Sequence, residues 1–173
     1  MVTPGPSRLR LVALAACALL AARARAQVAP GGSFPPLSLA APAGGQAPVT
    51  SGKVVVVDFW ASWCAPCKAS FPAYSRLQAQ FADRGLVIVG VSVDDSASDY
   101  AAFVARLKPS FATLRDAGHR LVGAVEVPTM PTSYVIDRSG KVRFMHPGFH
   151  GEKTERELLG EITLLLNETP PSS

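Results

Sequence analysis

Thiols are scarce in this chain. Only three cysteines occur in 173 residues, and one of them, Cys17, sits inside an apolar run near the N-terminus. There is no second CxxC, so the two remaining cysteines cannot be half of a two-knuckle zinc site. Acidic residues are missing from the first 26 positions, and no charged residue of either sign occurs between Gln27 and Gly52. The leader has no adjacent arginine pair, which withholds support from a twin-arginine export route. Its apolar run, Leu11 to Ala22, has 12 residues, short of the roughly 20 that span a bilayer. No internal repeat is visible.

The first 26 residues carry the features of targeting. Arg8 and Arg10 form a basic start, the apolar run follows, and Ala24-Arg25-Ala26 offers a small-x-small cleavage site before Gln27. Three fates are open: cleavage near Ala26, lipid attachment at Cys17 through Leu14-Ala15-Ala16-Cys17, or retention as an uncleaved membrane anchor. Each places the domain outside the cytoplasm, in the periplasm or an equivalent compartment. Removing residues 1–26 takes four arginines and no acid from the 17 basic and 13 acidic residues, which leaves the mature chain balanced. The apparent basicity belongs to the leader, and the argument for nucleic acid or an anionic membrane lapses with it. Cys17 leaves as well, so the mature protein has one CxxC pair and no spare thiol to mispair in an oxidising compartment.

What is present centres on Val54 to Lys68, VVVVDFWASWCAPCK. Four valines without polar alternation read as a strand buried on both faces. Pro66 suits the first turn of a helix, where its missing N–H costs nothing. Cys64 therefore falls at a helix N-terminus, where unpaired N–H groups and the helix dipole favour thiolate. A thiolate is the attacking species in disulfide exchange. Cys67, one turn further on, is placed as the resolving thiol.

The rest of the chain supplies alternating elements. Residues 27–33 read as a flexible linker, Phe34 to Leu39 and Val49-Thr50 as edge strands, and Gly44-Gly45 as a turn. Ala65 to about Asp83 is predicted helical, with Phe71, Tyr74, Leu77, Gln78 and Phe81 on one largely apolar stripe and Pro72 as a kink. Gly85 stops it. Leu86 to Val93 is a second buried strand, and strand–helix–strand order implies a parallel neighbour. Asp94, Asp95 and Ser96 or Ser98 offer caps for a helix through Leu107. A short strand at Phe111 to Leu114 and a brief helix near His119 to Val125 follow. Thr132 to Asp137, the loop Asp137-Arg138-Ser139-Gly140 and Lys141 to His146 read as a β-hairpin, making the sheet mixed. Thr154-x-x-Glu157 is predicted to be a capping box opening a last helix, with Leu158, Leu159, Ile162, Leu165 and Leu166 on one face. The tail from Thr169 reads as disordered.

This order, with a CxxC at the first strand-to-helix junction, resembles a thioredoxin fold: α/β, with a mixed central sheet flanked by helices, an N-terminal extension and a central insertion. VDFWASWCAPCK is similar to the active-site segment of thioredoxins, and MPTSYVIDRSGKV to their cis-proline segment and hairpin. The leader, the Ser92-Val93-Asp94 strand end and the Asp95 to Asp116 insertion look more like the exported, TlpA- or ResA-type members. The likeness spans Phe34 to Glu168, taken as one domain over 34–168 with 169–173 as tail. It implies a thiol:disulfide oxidoreductase that needs no cofactor and reduces partner-protein disulfides, for instance on apocytochrome c or copper-site cysteines. It also implies a monomer, reloaded by a membrane-embedded donor.

By the same resemblance Asp58 occupies a buried-acid position below the dithiol. Burial raises such a carboxyl's pKa, and Asp58 is then placed to take the proton of Cys67. Pro131, if cis, faces Cys64, the backbone of Met130 pairs with an extended substrate segment, and Trp63 shields Cys64 and offers an apolar docking surface. Two departures stand out: exported members often have asparagine at Asp58, and Ala65-Pro66 stands where thioredoxin has glycine and proline.

Three other chemistries use some of the same residue types. Cys64, Cys67 and Met130 are soft donors, which suits a Cu(I)-binding metallochaperone module. His146 and His150 have a tolerable spacing for zinc, but Pro147 and Gly148 prevent a helix between them, and no metal site is assigned. A peroxidase reading lacks the threonine three residues before Cys64, where Ala61 stands.

Overall fold

The computed structural model describes residues 28–40 and 47–169. The leader with Cys17, the Gly44-Gly45 turn and the tail beyond Thr169 lie outside them.

The four valines begin β1 (Val54–Trp60), which is buried at every position. Side chains alternate across a strand, and here each face meets its own core. Val54, Val56 and Trp60 pack with α1 (Ala65–Phe81), α2 (Ala97–Leu107) and α4 (Glu152–Asn167). Val55, Val57 and Phe59 pack with α3 (Arg120–Val125) and the segment carrying Phe34 and Leu37. Parallel β2 (Leu86–Ser92) lies beside β1, and β3 (Ala112–Arg115) runs parallel to β2. On the other side β4 (Thr132–Ile136) is antiparallel to β1, and β5 (Val142–Pro147) is antiparallel to β4. The sheet order β3-β2-β1-β4-β5 is the mixed arrangement expected from the sequence, with β1 at its centre. Pro72 lies inside α1. Gly85, with φ 95°, ends the turn that follows it.

Three expectations fail for identifiable reasons. Residues 28–33 are no flexible linker: Val28 N–H donates to the Val125 carbonyl (3.2 Å), Gly31 N–H to Val142 O (2.8 Å), and Val142 N–H to Gly32 O (2.9 Å). Ser33 bridges Lys141. An edge strand leaves a row of unpaired backbone groups, and this uncharged segment satisfies those of Val142 at the start of β5. Phe34 to Leu39 is not a strand either, because Pro35 and Pro36 have no N–H to give a ladder. It forms one 3-10 turn at Leu37–Leu39, while the Phe34 ring packs 5.6 Å from Tyr134. Val49-Thr50 forms no strand.

The last helix starts three residues early, with Gly151 and not Thr154 as its N-cap. Gly148 and Gly151 both take positive φ and turn the chain so that Gly151 precedes α4, with Glu152 and Glu155 in its first turn. The helix dipole favours acids there. Thr154 forms no capping box; its hydroxyl accepts the His150 N–H at 3.0 Å from a buried position.

Candidate active site

The site is built where β1 ends. Trp60 closes the strand as a fully buried anchor, stacked on Phe103 at 4.5 Å and edge-on to Phe71 at 5.1 Å. Aromatic pairs at such spacings add to burial, so the end of β1 is firmly fixed. The chain then turns tightly, with Cys64 N–H donating to Ala61 O at 3.1 Å. Cys64 is the N-cap of α1, and its Sγ accepts the Cys67 N–H at 3.2 Å. A helix N-terminus has N–H groups without intrahelical partners, and here the sulfur takes one. Pro66 falls in the first turn, as its chemistry requires.

Cys64 and Cys67 are joined as a disulfide, with Cα atoms 5.3 Å apart. Cys64 is 5% exposed and Cys67 is wholly buried. Only the first sulfur is therefore open to attack from outside, and Ser70 Oγ caps the Cys67 carbonyl at 2.8 Å.

Asp58 lies on the α1-facing side of β1 and is completely buried. The Tyr74 hydroxyl donates to its Oδ1 at 3.0 Å. Its Oδ2 has no hydrogen-bond partner among the described residues. Burial pushes the Asp58 carboxyl well above the usual carboxylate range, and the Tyr74 hydrogen bond only partly opposes that. Tyr74 is itself raised, first by burial and then by the charge of Asp58.

Met130-Pro131 is a cis peptide. Pro131 is buried immediately before β4, whose Thr132 pairs with Phe59. It therefore sits at the same end of the sheet as Cys64. The Gly148 N–H donates to the Pro131 carbonyl at 2.7 Å. Met130 is half-buried and packs against both cores, including the cluster that holds the two cysteines. Trp63 is 73% exposed, so its indole is an outward apolar surface beside Cys64. The histidines do not join in: His146 Nε2 meets Glu161 at 2.7 Å on the α4 side. Among the described residues no group of three or more His, Cys, Asp or Glu could hold a metal ion.

Two residues at this end do more than their sequence pattern indicates. Helical spacing puts Tyr74 on an apolar stripe, yet a buried tyrosine needs a partner for its hydroxyl and a buried acid needs a donor. That mutual need is the available signal. Asp94 has the position of a helix cap, but Ser96 caps α2 by accepting the Asp99 N–H. Asp94 instead reaches back to Ser62 in the active-site loop. Nothing in local spacing shows that, because the two are 32 residues apart.

A five-stranded mixed sheet flanked by helices, with a CxxC disulfide at the start of α1 and a cis proline at the same sheet end, defines a thioredoxin-like protein. The chain belongs to the AhpC/TSA family, whose model matches residues 31–145. Thiol-disulfide oxidoreductase ResA of Bacillus cereus is 31% identical over 111 residues, which are 64% of this chain and 62% of that protein. Thioredoxin-like protein YneN of Bacillus subtilis (strain 168) is 32% identical over 111 residues, 62% of this chain and 64% of that one. The chain thus spans less than two thirds of the length of these relatives. Among solved structures, a DsbE-type thiol:disulfide interchange protein from Chlorobium tepidum superposes with a TM-score of 0.71 at 32% identity. That match covers 82% of this chain and all of the other. The exposed lipoprotein thioredoxin Etrx1 of Streptococcus pneumoniae strain TIGR4 gives 0.59 at 29% identity, over 67% and 87%.

Proposed function

We propose that this chain is a thiol:disulfide oxidoreductase that works outside the cytoplasm, through Cys64 and Cys67, on disulfides of partner proteins. The observation that carries it is the dithiol's asymmetry: one sulfur at the helix N-terminus and open at its edge, the other buried behind it. In the reducing direction the Cys64 thiolate attacks a partner disulfide, forming a mixed disulfide and releasing one partner sulfur as thiolate. Cys67 loses its proton and attacks Cys64 Sγ, which restores the Cys64–Cys67 disulfide and frees the second partner sulfur. Two electrons pass to the partner, and an external dithiol donor, supplied across the membrane, returns them. Asp58 is the proton acceptor for Cys67. Its raised pKa brings it toward that of a thiol, the match that proton transfer favours. Trp63, Met130 and Pro131 form the face on which an extended partner segment lies.

The extracytoplasmic setting is supported by the leader's targeting features and by the relative named as an exposed lipoprotein. Among the described residues no helix is long and apolar enough to cross a membrane. Partner cysteines of apocytochrome c or of a copper site fit a reductant in that compartment. Direction depends on the Cys64–Cys67 potential within the span of about −270 to −120 mV that such dithiols cover.

Insulin disulfide reduction tests the activity, with the potential titrated against glutathione. A turnover that Cys64→Ser abolishes is expected; a wild-type protein no faster than Cys64→Ser overturns the assignment. A second reading, Cu(I) binding, draws on the packing of Met130 against the cluster with both cysteines. Anaerobic Cu(I) titration of the reduced protein decides it, and binding below one equivalent removes it.

A further inference from the structure

Asp94 is an unexpected presence just beyond β2. It is only 3% exposed, and every hydrogen bond that its carboxyl oxygens accept comes from a neutral donor. Ser62 N–H donates to Oδ1 at 3.0 Å and Oδ2 at 3.1 Å, Ser62 Oγ to Oδ1 at 2.8 Å, and Ser92 Oγ to Oδ2 at 2.7 Å. Its own N–H donates to Ser92 Oγ at 3.0 Å. Burying a charge is costly unless such bonds compensate it. Helix capping does not account for it, since Ser96 caps α2.

The position of Ser62 shows what those bonds do. It is the second residue of the turn between Trp60 and Cys64. That turn is tied at its end by Cys64 N–H to Ala61 O and at its start by Val93 N–H to Trp60 O, 2.9 Å. Asp94 supplies the middle tie, taking the backbone N–H and the hydroxyl of Ser62 together. The acid is itself held from the far side. Arg115 Nη1 donates to the carbonyls of Asp94 (3.3 Å) and Asp95 (3.1 Å), and His119 Nε2 lies 3.1 Å from Val93 O. Bonds to one carboxyl group from both the N–H and the hydroxyl of Ser62 fix that residue's orientation.

We propose that Asp94 is a positioning residue for the dithiol: by clamping Ser62 it fixes the turn that keeps Cys64 Sγ on the Cys67 N–H at the start of α1. This rests on the dithiol reading above, but it concerns the reactivity of Cys64 and not the identity of any partner. The ionisable side chains on the segments around Cys64 are Asp58 on β1, Cys67, Lys68, Tyr74 and Arg76 on α1, and Asp94 and Asp95 beyond β2. Asp94 is the one bonded to the turn that ends at Cys64.

The test is the pH profile of Cys64 alkylation by iodoacetamide in the fully reduced protein, mapped to Cys64 by mass spectrometry. Wild type, Asp94→Ala, Asp94→Asn and Ser62→Ala are compared. Asp94→Ala frees the turn, so the alkylation midpoint moves up and the rate below it falls by up to about tenfold, the scale of a lost helix N-terminal contact. Asp94→Asn keeps an acceptor for the Ser62 N–H and stays close to wild type. Ser62→Ala moves in the same direction as Asp94→Ala by less. An Asp94→Ala profile coincident with wild type, even with a lowered Tm, overturns the proposal. A downward shift shared by Asp94→Ala and Asp94→Asn also overturns it, since that is the effect of removing a charge. If Asp94→Ala does not fold, Ser62→Ala decides alone, and a profile coincident with wild type rejects the role. Insulin turnover by the wild type is scored separately, so failure of the oxidoreductase assignment is distinguishable from failure of this one.

Discussion

The Tyr74 hydroxyl donates to Asp58 Oδ1 at 3.0 Å, and both side chains are enclosed, at 1% and 0% exposure. Two groups that each resist burial in charged form share one hydrogen bond inside the α1-facing core. The bond favours the ionised carboxyl while desolvation disfavours it, and desolvation is the larger effect. Tyr74→Phe removes the smaller, opposing effect. The Asp58 midpoint is therefore expected to rise further, as read from the carboxyl carbon by NMR in the oxidised protein. A midpoint that falls contradicts this.

Asp58 also sets a pH dependence of stability. Its folded-state pKa lies above the unfolded value, so the folded chain holds the proton more tightly. Stability is then greatest below the ordinary carboxylate range and falls as pH rises from there to the raised midpoint. Asp58→Asn cannot ionise and keeps an acceptor for Tyr74. The variant is expected to melt above wild type at neutral and alkaline pH and level with it below about pH 4. In a chain of this size each 1 kcal/mol gained reads as roughly 2–4 °C in Tm. The same variant should slow turnover, because Cys67 loses its proton acceptor. Equal Tm differences at all pH values would remove the ionisation argument.

The two cysteines should behave unequally. In the reduced protein iodoacetamide is expected to modify Cys64 well before Cys67, since one is open at its edge and the other is enclosed. Cys67→Ser should stall the mixed disulfide on Cys64 and allow the bound partner to be isolated. Accumulation of that species on Cys64→Ser instead would reverse the assignment of nucleophile and resolving thiol.

Trp60 and Trp63 stand three residues apart and should respond oppositely. Trp60 is enclosed by Phe71, Tyr100 and Phe103, so Trp60→Ala is expected to cost about 3–5 kcal/mol in denaturant unfolding. Gly90→Ala acts on the same packing, because a Cβ there would lie 2.9 Å from Trp60 Nε1 and 3.1 Å from Phe111. It should cost about 1–3 kcal/mol. Trp63→Ala should leave stability within about 0.5 kcal/mol and raise KM for protein disulfides while sparing small ones. A Trp63→Ala protein with unchanged KM for insulin removes the docking role.

Much of the fold was legible because its signals are local. Four valines, a helix-start proline and a CxxC are contiguous, and the hairpin around Gly140 needs only short-range turn chemistry. The elements that misled were those whose state depends on distant neighbours. Residues 28–33 look like a linker by composition but hydrogen-bond to Val125 at the end of α3 and to Val142 at the start of β5. Thr154 and Glu157 have capping-box spacing, but Gly148 and Gly151 begin the helix before they can use it.

The site divides in the same way. Sequence alone pointed to Cys64 and Cys67 as the dithiol and to an expected order of attack, because helix position and thiol chemistry are both written within four residues. The resemblance to thioredoxins marked Asp58 and Pro131. What tertiary structure decided is the surroundings of those groups: Tyr74 against Asp58, Asp94 against Ser62, and Trp63 facing outward while Trp60 faces in. Those relationships join side chains that are neighbours only after the sheet is assembled, since hydrogen bonds and desolvation act through space and leave no periodicity along the chain.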